Sequence, residues 1–473
     1  MLLLAWSMVN GQWSMAQIGT WRNYLAYHDV QQIQAAGNDL FVLASNNLYQ
    51  YNKQDQSIYT YDKVNGLSDI YITQIRWCQK ARRLIAVYSN SNIDLVETNG
   101  NVTNISDIYS KVITGGKNIH NVTVSDVYAY LACAFGVVKL NVKDADISET
   151  YNLGFVVNAV ALQDGSIYAR SQSQGVWKAS LSSNLIDPAN WIKTTTYPSF
   201  TDDLTDYNDN IELVKTLSPG GPTYNEFFES KFVNGKLYTT GGAFRSGQIQ
   251  KDNLGIVQIW DGTDWKVYPT NIQESTGVRY QDMDCIDVDP IDNQRVLVGG
   301  RTGLYEFYNG QFVKLYNQHN SPIRTAIDRG NVLSDNYTFI LGMKFDTSGN
   351  LWVLNSQTNG VNLLKLDQSG QWTDLTKSAL YYESTLTMPG LRCMKIDSHG
   401  MLWFVNTHYY SPAVLCYNPA TDQMISIKSF TNQDGATYDD CYPYDVTEDL
   451  SGNIWISTNK GPFYIKSDEA GQA

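Results

Sequence analysis

After its first residues this chain has no run of about 18 apolar residues, the length that a membrane-spanning helix requires. It has only 5 histidines in 473 residues, none at ligand spacing from another, and its 6 cysteines form no CxxC or Cys/His pattern, which argues against the common zinc sites. GxSxG, HExxH and P-loop sequences are absent; SPGGP at Ser218 and GGAFRSG at Gly241 lack both the lysine and the strand-loop-helix setting of a phosphate loop. Carboxylates crowd loops such as TDDLTDYND, where solvation accounts for them, and catalytic acid pairs are defined by a separation that sequence does not display. With no motif supplying a nucleophile or a poised base, the chain reads as a non-enzyme with no catalytic residue, cofactor or metal. Basic residues are the minority, 34 against 47 acidic, and the net charge of −13 excludes the basic stripe of a nucleic-acid binder. No window carries a sustained helical stripe.

What the sequence does have is one stretch repeated. FDTSGNLWVL at Phe345 returns as IDSHGMLWFV at Ile396 and EDLSGNIWIS at Glu448. Degenerate forms stand at Val288 (VDPIDNQRVLVGG), Phe232 (FVNGKLYTT), Leu162 (LQDGSIYARS) and Ala35 (AAGNDLFVLAS). Recurrence at about 40 to 55 residues is the spacing of propeller blades. Each repeat parses into four short strands: an apolar strand, a turn with Asp and Gly, a strand of Leu, Trp and Val, a third after Gly or Asn, and an exposed aromatic fourth. β-Branched and aromatic strands punctuated by Gly, Asn and Asp predict antiparallel meanders. In the turn, Gly349 supplies positive φ while the Asp346 carboxylate accepts from backbone N–H groups two or three residues on. A calcium loop would demand more oxygen ligands than DTSGNLW offers, and the motif resembles the structural Asp-box hairpins of sialidase-like propellers.

The second strands number nine, centred near Phe41, Ile85, Tyr128, Ile167, Leu237, Val296, Leu351, Leu402 and Ile454. Soluble propellers usually close with about four to eight blades, so nine predict a division. The reading is all-β: a seven-bladed propeller of four-stranded blades over residues 17–366, then blades of a second, incomplete propeller over 367–473. TWRNYLAY at Thr20 is expected to close the first ring as the fourth strand of the Leu351 blade, and GQWTDLTK to open the second. Two modules do not complete a ring, so the chain reads as part of a longer one. Residues 1–16, with an apolar run and the small-x-small Ser14-Met15-Ala16, read as a signal peptide, although the usual basic n-region is absent. Cys133, Cys285, Cys393 and Cys416 lie in apolar strand runs and read as buried thiols; Cys78 and Cys441 are less committed.

Long loops on a rigid scaffold are where binding concentrates. The insertion YPSFTDDLTDYNDNIELVKTLSPGGPTYNEFFES and the loop GGAFRSGQIQKDNLG make Tyr224, Phe227, Phe228 and Arg245 candidates for an aromatic and cationic face toward a glycan or protein. Tyr409 and Tyr410, in THYYSPA of the eighth module, are candidates of the same kind. The competing reading makes the insertion a cap over one face of the ring, or a short packing helix.

TWRNYLAYHDVQQI, NGLSDIYITQI, NVLSDNYTFILGMKFDTSGNLWVLN and DLSGNIWISTNKGPFYI resemble the propeller region of the PorZ family of the Bacteroidota type IX secretion system. The LSDxY and DxxGxLW elements are shared with periplasmic propellers of hybrid two-component sensors. The PorZ resemblance implies two propellers and a C-terminal β-sandwich at the cell surface, beside the sortase PorU, supplying anionic lipopolysaccharide for attachment to cargo. It implies an exported protein, at the cell surface or outer membrane, whose partners are the sortase, other secretion components and glycan or lipopolysaccharide. The blades and sandwich beyond the ninth module are missing here, so no family site residue is placed. The alternative is a periplasmic ligand-sensing propeller.

Overall fold

The computed structural model describes residues 22–112, 115–242, 252–328, 331–439 and 441–470. The 1–16 segment, Thr20 and Trp21 of the N-terminal stretch, and Arg245 lie outside the described residues. The described chain is an array of nine antiparallel meanders, eight four-stranded and the last three-stranded, each in simple consecutive strand order. They cover residues 30–61, 72–105, 119–152, 159–194, 230–267, 283–316, 340–374, 391–427 and 443–465, and are called sheets one to nine. Every predicted second strand is a second strand, from Asp39–Ala44 to Ile454–Thr458. The chain forms two compact units, Met1–Gly221 with sheets one to four and Pro222–Ala473 with sheets five to nine.

Second strands such as Asp39–Ala44 and Arg83–Tyr88 read as unbroken apolar runs because both of their faces are covered. In sheet one, Phe41 and Leu43 pack toward Ile72, Ile75, Leu84 and Ala86 of sheet two, while the alternate Leu40, Val42 and Ala44 turn the other way. In sheet two, Ile85 and Val87 face Val122 and Leu131 of sheet three. Sheets one and two thus each contribute to two cores, and period-two alternation decides which side chain joins which.

First strands line the inner edge of each unit, where unpaired N–H groups need acceptors. Glutamines supply some: Gln32 Oε1 accepts from Ile75 N at 2.6 Å and Gln34 Oε1 from Trp77 N at 2.8 Å. The insertion supplies another. Its helix, Thr205–Val214, presents Tyr207, Ile211 and Val214 to the Leu40 face of sheet one, and Asp206 Oδ2 accepts from Ala35 N at 2.8 Å. Asp202 meets Arg76 of sheet two at 2.6 Å and Asn121 of sheet three at 3.3 Å. The part of the insertion around Asp202 and the helix therefore packs over the inner edge, and it holds a short packing helix of the kind the competing reading of the insertion describes.

Two further expectations are corrected at strand level. GQWTDLTK does not open a new sheet: Trp372–Asp374 pairs with Leu363–Leu366 and is the fourth strand of sheet seven. Sheet seven therefore has four strands without TWRNYLAY. Residues 22–28 form no strand; they pack in the first unit, with Tyr27 edge-on to Tyr49 at 5.7 Å and Ala26 O accepting from Asn47 Nδ2 at 2.9 Å.

The recurring turn is as expected, with one addition. Asp397 Oδ1 accepts from His399 N and Met401 N, both at 2.9 Å, and Gly400 holds φ +80°. Its Oδ2 accepts from the Trp403 indole at 2.8 Å. Asp346 and Asp449 repeat this with Trp352 at 3.1 Å and Trp455 at 2.7 Å. The Asp thus ties the turn to the strand it starts. The six cysteines stand outside disulfides and five are buried; Cys393 is half-buried, at the bulge in the first strand of sheet eight with φ +59°.

Candidate functional site

In the Pro222–Ala473 unit, first strands of successive sheets carry ionisable residues toward one another. Asp287 of sheet six, buried, is held by the ammonium groups of Lys231 in sheet five and Lys344 in sheet seven, the latter at 3.1 Å. Its carboxylate also accepts from Phe345 N and Val288 N, both at 2.8 Å. Burial raises the Asp287 carboxyl, but the two ammonium groups outweigh it and the group ends below the usual range. Lys231 is pushed down, chiefly by burial.

Glu229, just before the first strand of sheet five, is half-buried and ringed by protein. Burial pushes its carboxyl up to about 7; Asp287 and Asp445 reinforce the shift, while Lys231 and Lys395 oppose it. Because the folded group holds its proton where the unfolded one, near 4.5, has ionised, folding takes up a proton between these values. Its contribution to stability is therefore complete below about 4.5, falls as pH rises to about 7, and is level above. Urea unfolding at pH 5 and pH 8 is expected to show a loss of roughly 1–3 kcal/mol from this group. Glu229→Gln should abolish that part of the slope; an unchanged slope in the variant would assign it elsewhere.

Phe227 and Phe228 precede this strand and face opposite ways. Phe227, exposed, lies edge-on to Trp265 at 6.1 Å, whereas the Arg392 guanidinium of sheet eight sits 5.9 Å from the Phe228 ring. Tyr224 is fixed through its backbone: its N donates to Gln258 Oε1 at 2.9 Å and its O accepts from Gln258 Nε2 at 3.0 Å. The cation beside Phe228 is thus Arg392, a residue the sequence reading did not single out.

Tyr409 and Tyr410 form a second group, with two residues the sequence reading missed. Tyr410 stacks on Tyr382 at 5.5 Å with planes 3° apart, and Tyr409 lies 4.3 Å from Tyr410 and 4.2 Å from the His408 ring. His408 is buried, its Nδ1 accepting from Tyr410 N at 3.1 Å, and burial lowers its imidazole pKa. Tyr409 and Tyr410 remain 57% and 44% exposed, so the rigid group presents ring faces to solvent. Exposed tyrosines held this way give large contact area at low entropic cost and suit a protein or glycan partner.

A sequence signal for the charged group existed. Asp287, Lys344 and Lys395 each stand two places before a turn Asp, at 289, 346 and 397. Among the described residues no three His, Cys, Asp or Glu side chains converge as metal ligands, and no helix is long and apolar enough to cross a membrane.

Residues 40–192 match the family described as TSS9, PorZ, N-terminal beta-propeller domain. The chain is similar in structure to PorZ of Porphyromonas gingivalis, described as an essential bacterial surface component of the type IX secretion system. The TM-score is 0.82 at 21% identity, over 96% of this chain and 74% of that one. Extracellular domains of a one-component and a hybrid two-component system from B. thetaiotaomicron align over 93% of this chain, at 15% and 13% identity and TM-scores of 0.29 and 0.31. No curated protein sequence matches the chain.

Proposed function

We propose that the chain is a non-enzymatic scaffold or adaptor of a type IX secretion machinery, exported and held at the cell surface. The observation that carries this reading is the match of residues 40–192 to the PorZ N-terminal propeller domain; the fold likeness to PorZ over 96% of the chain accords with it. In this role it assists a sortase in attaching anionic lipopolysaccharide to cargo. The Tyr382, Tyr409 and Tyr410 faces, the Phe227 and Phe228 positions, and the charged first strands of sheets five to nine provide contacts of the kind a scaffold uses. Arg245 is retained as a candidate contact on sequence grounds alone.

The test is deletion of the gene in the bacterium that encodes it. Cargo should accumulate unprocessed in the periplasm and lose its lipopolysaccharide, with recovery on re-expression. Tyr409→Ala with Tyr410→Ala should express and fold normally yet restore cargo attachment poorly. Undiminished cargo display in the deletion strain would overturn the secretion reading.

A further inference from the structure

A cavity of about 390 Å³ opens in the Met1–Gly221 unit, between the outer strands of sheet one and the turn at residues 97–101 of sheet two. That volume is in the range of small-ligand sites, roughly 300–1,000 Å³. Its polar groups are held in place before anything binds. Gln50, 8% exposed, donates from Nε2 to Asp39 Oδ1 and to Thr98 O, both at 2.9 Å, and its Oε1 accepts from the Tyr61 hydroxyl at 2.6 Å. Asn52 Nδ2 also donates to Asp39 Oδ1, at 2.9 Å. Asp39 therefore has one oxygen committed to the wall; its Oδ2 accepts no hydrogen bond among the described residues and remains for a ligand. Tyr61 is buried, and Tyr59 stands edge-on to it at 4.7 Å, 46% exposed at the cavity. Ser57, Asn99, Gly100 and Asn101 add further polar lining, and among the described residues no Lys or Arg lines the space.

We propose that this cavity binds a neutral sugar. The open oxygen of a carboxylate whose other oxygen is fixed by two amides accepts strongly from hydroxyl groups. The exposed Tyr59 face packs against the apolar face of a sugar ring, and the neighbouring amides and hydroxyls satisfy the remaining hydroxyls. An anionic sugar would bring its charge toward Asp39 with no cation to compensate, and an apolar ligand would strand the polar wall. The site is remote in sequence from Tyr409 and Tyr410, and the proposal stands whether or not the chain serves secretion.

Saturation-transfer difference NMR on the full chain tests it. The probes are the methyl glycosides of glucose, galactose, mannose and N-acetylglucosamine, with glucuronic acid and glucose 6-phosphate as anionic counterparts. At least one neutral glycoside should receive saturation, and the anionic compounds at least tenfold less. Tyr59→Ala, a change at an exposed ring, and Asp39→Asn, which keeps the side-chain volume, should each cut the signal at least tenfold, whereas Tyr438→Ala leaves it unchanged. Silence from all four neutral glycosides, equal response to the anionic ones, or a signal that survives both Tyr59→Ala and Asp39→Asn would overturn the proposal.

Discussion

Replacing Asp287 with Ala is expected to destabilise the Pro222–Ala473 unit by about 3–5 kcal/mol, the range for removing one partner of a buried ion pair. Lys231 and Lys344 would be left facing each other with side chains 21% and 28% exposed, and the Phe345 and Val288 amides would lose their carboxylate acceptor. Partial exposure lets the lysines turn toward water, so the lower end of that range is expected. Asp287 ties sheet five to sheet seven through sheet six, and the loss should appear in all three. Urea unfolding, with hydrogen exchange read at strands within residues 230–374, measures it. Replacing Asp287, Lys231 and Lys344 together by Leu, Met and Met should recover much of the loss, because the penalty belongs to the unpaired charges. A cost under about 1 kcal/mol for Asp287→Ala would mean that water already satisfies both ammonium groups without it.

The blade pattern was legible because it rests on local chemistry. FDTSGNLW declares its turn through Gly349 and Asp346, and LFVLA declares a strand covered on both sides through its lack of alternation. Strand order was harder to read. A three-residue strand such as Trp372–Asp374 looks the same whether it ends one sheet or begins another, and only its pairing, Leu364 with Asp374, decides. The clue lay one turn earlier: Asp367 and Gly370 repeat the spacing of Asp346 and Gly349, and Asp367 Oδ1 accepts from Gln371 N at 2.9 Å as a hairpin turn requires. The helix Thr205–Val214 was likewise available in the spacing of Tyr207, Ile211 and Val214, but a single short stripe inside an acidic loop is a weak signal.

The candidate site was less legible for a different reason. Tyr409 and Tyr410 stand out as exposed aromatics in a loop, yet Tyr382 and His408 join them only through folding. Arg392, the cation beside Phe228, lies more than one hundred and fifty residues away in another sheet. The charges at Asp287, Lys344 and Lys395 looked like ordinary polar positions of alternating strands. Their meaning depends on first strands of neighbouring sheets lying side by side, which no single repeat contains.

The recurring Asp offers a comparison inside one molecule. Asp397→Ala is expected to cost about 2–4 kcal/mol: about 1 for the loss of a local cap and roughly 1–3 for a buried donor left without a partner. The donor is the indole of Trp403, which is fully buried, so no water replaces the lost carboxylate. Asp449→Ala breaks the same bonds, but Trp455 is 39% exposed and its N–H can turn to solvent. Its effect should be clearly smaller. The Asp449 carboxyl is held down to about 2 by bonds from Asn453, Trp455 and Ser451, so its contribution is present above the ordinary carboxylate range and is lost only as pH falls through about 2. Asp397→Asn separates the two parts of the larger effect. Its oxygen can still accept from His399 and Met401, while its amide opposes the Trp403 N–H, so it should fall between wild type and Asp397→Ala. Thermal unfolding of the three variants gives the order directly, and equal losses at 397 and 449 would show that the turn alone, without the indole, sets the strength of this motif.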